Sequence, residues 1–154
     1  ALTDETAQGV AAIVRSIGED MEKLPPEQML FSMLDCYLHR LPELADYLCA
    51  HREEMVLLLR CAGGTKYENF FDNFRVMNME RISQGVKTAE HTAKALRGIA
   101  PGSLDLMMRG YFDMLARIIL ETEDKETVIR RMCDVALVYR NGMLSLMEGE
   151  TDHA

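Results

Sequence analysis

Apolar residues in this chain recur three and four positions apart, and few segments alternate apolar with polar residues as a half-buried strand would. A first stripe joins Val10, Ile13, Val14, Ile17, Met21 and Leu24, and predicts a helix over Thr3 to Lys23. Pro25 and Pro26 end it, and Pro26 suits the first turn of a second helix carrying Leu30, Met33, Leu34, Tyr37 and Leu41. Pro42 is read as the start of a third helix, running through Leu44, Leu48, Met55, Leu58 and Leu59 to Arg60, with Gly63-Gly64 as its stop. Thr65 and Glu68 have the spacing of a capping box, in which each side chain satisfies the other's free amide. The helix it opens is long, Lys66 to Arg97, with a stripe from Tyr67, Phe70, Phe71 and Phe74 through Met77 and Ile82 to Leu96, and Gly85 is a place for a bend. Residues Gly98 to Gly102 form a loop, and Ser103 caps a fifth helix ending near Thr122. Asp124 caps a sixth that reaches Met147, and the polar tail from Glu148 to Ala154 frays.

With short connections and no internal repeat, this pattern predicts an all-α fold: a single helical bundle of about six helices, one domain over residues 1–154. The last two helices carry more apolar surface than one core requires. The fifth places Leu104, Met108, Tyr111, Leu115 and Ile118 on one stripe, with Leu106, Met107, Phe112, Met114, Ile119 and Leu120 beside it. The sixth places Val128, Met132, Val135, Tyr139, Gly142 and Leu146 on one stripe and Ile129, Cys133, Ala136 and Met143 on another. A surface helix needs a single stripe roughly 100° wide. Two stripes on each helix imply burial on two sides, and predict a homodimer in which this pair meets its mate as a four-helix bundle. The expected interface is Leu104, Met108, Tyr111, Leu115 and Ile118 with Val128, Met132, Val135, Tyr139 and Leu146. Glutamates at Leu115 and Tyr139 are then expected to break it.

Composition narrows the function. Twenty-five Asp and Glu against seventeen Lys and Arg give a net charge of −8, and the basic residues are scattered. Phosphate contacts supply most of the affinity for nucleic acid, so this chain is expected to be a poor DNA binder by itself. No apolar run approaches the roughly 20 residues of a membrane span, and the start of the chain lacks a signal peptide's basic flank, so no membrane partner is expected. Cys36, Cys49, Cys61 and Cys133 fall in apolar helical stretches without a Cys-x-x-Cys pair. Reduced, buried thiols are favoured over a disulfide between two of them, which points to the cytoplasm.

The chemistry-bearing residues form no catalytic constellation. Three positions before His39, His51 and His91 stand Cys36, Leu48 and Thr88, so the Glu-x-x-His of a di-iron bundle is absent. No two His lie four apart, and Cys36 with His39 lacks further spaced ligands. Ala-Gly-Gly-Thr, 62–65, lacks the Lys of a phosphate loop, and no Gly-x-Ser-x-Gly elbow occurs. The expectation is a protein that is not an enzyme and holds no metal or cofactor. What stands out is twelve Met beside ten Phe and Tyr. Met fills irregular cores and lines adaptable apolar pockets equally well.

The segment from His51 to Asp72, the closing pair Leu104 to Leu120 and Thr127 to Met147, and the phrase Val-Tyr-Arg-Asn-Gly-Met-Leu at 138–144 resemble the C-terminal regulatory domain of the TetR/AcrR family of transcriptional repressors. The resemblance covers nearly the whole chain except its front, where the family's helix-turn-helix head has no counterpart. It implies that DNA binding belongs to a head in a parent protein, with the first helix as the one that leaves it. It also implies a small-molecule effector among the second to fifth helices, near Met33, Tyr37, Leu59, Phe71, Phe74, Met77, Met108 and Phe112, in a pocket of roughly 300–1,000 Å³. Asp35, Arg75 and Asn78 lie on the same helices and could orient a polar group, and His51 is either a buried, hydrogen-bonded imidazole or a pH-sensitive donor. The rival to this effector-sensing, dimerising domain is a helical adaptor whose apolar surface docks another protein and which has no pocket.

Overall fold

The computed structural model describes residues 2–25 and 29–148, and among them it contains seven helices and no strand. They are α1 (Leu2–Glu22), α2 (Met29–Ala50), α3 (Arg52–Cys61), α4 (Phe70–Thr88), α5 (Glu90–Leu96), α6 (Ser103–Glu121) and α7 (Lys125–Glu148). Pro26, the side chain of Leu30 and the tail 149–154 lie outside the described residues. The helices pack as one bundle, α2 against α1 and α7, α6 against α3, α4 and α7. Ala7 and Val10 of α1, Leu41, Leu44, Ala45 and Leu48 of α2, Met55 and Leu58 of α3, Phe70 and Phe71 of α4, Leu115, Ile118 and Ile119 of α6 and Val128, Met132 and Ala136 of α7 share a single core. A smaller cluster under α5 joins Ala95 to Met147.

Four local expectations are corrected. Pro42 does not divide two helices: α2 runs through it to Ala50, and the break falls at His51. An interior proline costs about 3 kcal/mol, but Leu41, Leu44, Ala45 and Leu48 around it are all buried. Burying those side chains on one continuous stripe outweighs the lost hydrogen bond. The break at His51 is slight, since His51 N donates to Tyr47 O at 3.1 Å and Met55 N to His51 O at 2.9 Å.

The capping box closes one residue out of step. The Thr65 hydroxyl accepts from Tyr67 N at 3.2 Å and donates to Ala62 O at 2.6 Å, while Glu68 Oε2 accepts from Gly64 N at 3.2 Å. The result is a turn, and α4 starts only at Phe70. The long fourth helix is two helices, parted at Ala89 (φ −132°, ψ 111°) rather than bent at Gly85. That break turns α5 back over α7 and buries Thr92 and Ala95. Finally, Ser103 begins α6 but does not cap it; the cap position belongs to Gly102, at φ 80°, a left-handed conformation that glycine adopts without strain. Asp124 does cap α7, its Oδ2 accepting from Thr127 N at 2.8 Å.

Two close approaches set the position of α1. A Cβ on Gly9 would stand 1.8 Å from Tyr47 Oη and 2.3 Å from its Cζ, so the ring of α2 lies directly on the α1 backbone. A Cβ on Gly18 would stand 2.6 Å from Arg81 Nη2, so a guanidinium from α4 occupies the corresponding place one face further along.

Candidate functional site

The bundle holds a cavity of about 170 Å³, partly open to solvent and walled by every helix except α3. Its wall is made by the inward stripes already described: Val10, Val14, Ile17 and Met21 from α1, Met33, Leu34 and Tyr37 from α2, Phe71, Phe74, Asn78, Arg81 and Ile82 from α4. Leu96 of α5, six residues of α6 from Leu104 to Leu115, and Ala136, Tyr139, Met143 and Met147 of α7 complete it. These faces do not fully interdigitate where six Met meet six aromatic rings. The volume is below the expected 300–1,000 Å³, because α1 and α7 also enter the space expected to lie among four helices. In size it is close to an engineered apolar cavity of about 150 Å³ that takes benzene.

Of the expected ligand-contacting residues, Met33, Tyr37, Phe71, Phe74, Met108 and Phe112 are brought to this wall. Leu59 is not: it packs against the main core on α3, away from the cavity. Met77 is not either: three residues on from Phe74 it lies about 60° around the helix, on the edge away from Asn78 and Ile82. Asn78 lines the wall, whereas Arg75 is held by Asp72 and Asp105, and Asp35 pairs with Arg140 at 2.5 Å on the surface. His51 stacks obliquely on Tyr47, ring centroids 4.3 Å apart, and takes no part in the cavity.

Most residues expected at a dimer interface are committed within the protomer. Leu115, Ile118, Val128 and Met132 are buried in its own core. Leu104, Met108, Tyr111 and Tyr139 line the cavity, Val135 packs against the core, and Leu146 alone of the set is exposed. The outward faces of α6 and α7 instead show Leu106, Met114, Leu137 and Val138, with Leu106 and Val138 69% and 70% exposed. The outward faces thus keep a few exposed apolar side chains, and these are not the residues expected at the interface.

The polar groups of the wall are few. The hydroxyls of Tyr37 and Tyr111 hydrogen-bond each other across the cavity, their rings edge-on at 6.0 Å. Tyr111 is also edge-on to Tyr139 at 5.3 Å, and Phe71 stacks on Phe112 at 6.1 Å. Burial pushes the Tyr37 hydroxyl up to about 12 and Tyr111 well above its ordinary value; burial, aided by nearby Asp113, raises Tyr139 as well. Both members of the pair are thus neutral at ordinary pH. In alkali the unfolded chain loses these protons first, from about pH 10. Stability present below that pH is lost as pH rises toward about 12, where Tyr37 ionises in the folded state.

Tyr37→Phe alone strands the Tyr111 hydroxyl and is expected to cost about 1–3 kcal/mol, while Tyr37→Phe with Tyr111→Phe regains most of that loss and melts less readily above about pH 10. Denaturant titrations of the two single variants and the double variant, repeated in alkali, measure this. A double variant as unstable as the sum of the singles would remove the pairing from the account.

Among the described residues no group of three or more His, Cys, Asp and Glu could hold a metal ion, and no helix is long and apolar enough to cross a membrane. The four thiols are free; Cys61 is exposed at the end of α3 and the other three are half-buried, not enclosed as expected. No family model, curated protein or solved structure matches the chain.

Proposed function

We propose that this chain is the effector-sensing and dimerising domain of a cytoplasmic transcriptional regulator of the TetR/AcrR type. In this reading it holds a small, mainly apolar molecule in the cavity, and it is a binding module with no reaction of its own. The cavity carries the proposal: a void of about 170 Å³ walled by flexible Met and aromatic side chains suits a small apolar molecule, which favours a sensor over a helical adaptor with no pocket. The homodimer forms through the outward apolar residues of α6 and α7, and DNA contact belongs to a helix-turn-helix head in the parent chain.

Four residues of α1 line the cavity. An occupant that prefers one position of α1 selects that position, and a differential affinity of roughly 1–3 kcal/mol makes a useful switch of anything α1 is joined to.

Toluene is a suitable first probe, being apolar and small enough for the void. In ¹³C-methyl spectra it is expected to shift Met21, Met33, Met107, Met108, Met143 and Met147, which line the cavity, and not the core residues Met55 and Met132. At a hundredfold excess over Kd it adds about 2.7 kcal/mol, or roughly 5–10 °C in Tm. Uniform small shifts at all methionines with no rise in Tm would end the sensor reading.

A further inference from the structure

Among the described residues of the cavity wall only one carries a formal charge, and it is a cation, Arg81. The protein has twenty-five Asp and Glu, yet none is described on that wall. Asn78, three residues earlier on the same helix, is the other non-aromatic polar side chain there. The Tyr37 and Tyr111 hydroxyls are already engaged with each other.

Arg81 is underused. A guanidinium offers five N–H donors in a planar fork suited to a carboxylate. Among the described residues its acceptor is Glu22 Oε1, 3.3 Å from Nη2, on a side chain 63% exposed to solvent. One long contact to a solvated carboxylate leaves most of the fork without a described protein acceptor, facing solvent and open to another anion. The guanidinium is held at the wall because Gly18 has no side chain: Nη1 and Nη2 would lie 2.7 and 2.6 Å from a Cβ at that position.

We infer that the occupant is an apolar monocarboxylate, its body among the Met and aromatic side chains and its carboxylate on Arg81, with the Asn78 amide as a second donor. This rests on the effector-site reading and adds the headgroup to it. The carboxylate replaces Glu22 as the partner of Arg81, exchanging a solvated contact for a bidentate one beside an apolar wall, where charge-assisted hydrogen bonds are strongest. A neutral ligand leaves Arg81 as it was, and a cationic one meets no described carboxylate on the wall.

The test is calorimetric titration of the full chain with octanoate, 1-octanol and octylammonium at about pH 7, where the acid is ionised. Octanoate is expected to bind roughly tenfold to a hundredfold tighter than 1-octanol, and octylammonium weakest. Arg81→Gln is expected to remove the advantage of octanoate and leave 1-octanol unchanged. Glu22→Gln, which removes the competing carboxylate, is expected to tighten octanoate alone. Equal affinity for octanoate and 1-octanol, or a preference that survives Arg81→Gln, overturns the headgroup assignment and leaves the cavity reading standing. Should Arg81→Gln fail to fold, octanoate affinity unchanged by Glu22→Gln overturns it equally. If none of the three binds and toluene leaves the methionine methyls unmoved, both readings fall.

Discussion

Replacing Leu137 and Val138 together by glutamate is expected to convert a species of twice 17.5 kDa into one of 17.5 kDa while leaving the helical spectrum intact. Both side chains lie on the outward face of α7, 48% and 70% exposed, so the new charges need no room in the protomer's core. With Leu106, Met114 and Leu146 they are the large apolar side chains of α6 and α7 left exposed after the bundle has closed. At about 25 cal/mol per Å² such a surface repays covering, and a stable interface removes about 1,600 Å² from water. Two adjacent glutamates would each meet their own copies near the two-fold axis, adding repulsion to lost burial. Light scattering at tens of micromolar decides it. An unmodified chain with the mass of a single protomer would sink the dimer outright. Glutamates at Leu115 and Tyr139 are the wrong probe, because Leu115 is buried in the core and Tyr139 walls the cavity; their effect would be unfolding.

The second large effect concerns the fold itself. Leu48→Ala is expected to cost about 2–5 kcal/mol and to lower Tm by roughly 4–20 °C. Leu48 is 1% exposed, six residues beyond Pro42, in the half of α2 that packs with Ala7, Val10, Met55 and Leu58. That half compensates for the proline, so emptying it removes the reason for α2 to continue. Leu57→Ala, at an exposed position on α3, is expected to change stability by about 0.5 kcal/mol at most. Denaturant unfolding of the two variants checks the contrast. A Leu48→Ala protein as stable as the Leu57→Ala one would show that the α2 core is not what holds the helix past Pro42.

These two cases also show where the sequence was legible. Stripes such as Val10, Val14, Ile17 and Met21 reveal which face of a helix turns inward, because period 3.6 leaves no other way to gather those residues. Helix ends were read less well. Pro42 and the Thr65–Glu68 pair are local signals, and local signals yield when tertiary burial is larger, as it is around Leu41, Leu44 and Leu48. A stripe also does not say whether it meets another side chain or a void. For that reason α1 and α7 went unassigned to the cavity, and Leu115 and Met132 went to an interface when they belong to the core. Arg81 was missed although a signal existed. Phe74, Asn78, Arg81 and Ile82 fall on one helical face, so a charged residue on an otherwise inward stripe marked the spot.

The contact between Gly9 and Tyr47 bears on how this sequence can drift. With the Tyr47 hydroxyl 1.8 Å and its ring carbon Cζ 2.3 Å from where a Cβ would stand, positions 9 and 47 are one choice made twice. The obstacle is a stiff ring already stacked on His51, which gives way less readily than the tip of a lysine would. A lineage that enlarges residue 9 must first shrink residue 47, and the order matters: Tyr47→Val opens a space that Gly9→Ala then fills, whereas the reverse path passes through a clash. The two sites are epistatic, and the permissive step lies on α2.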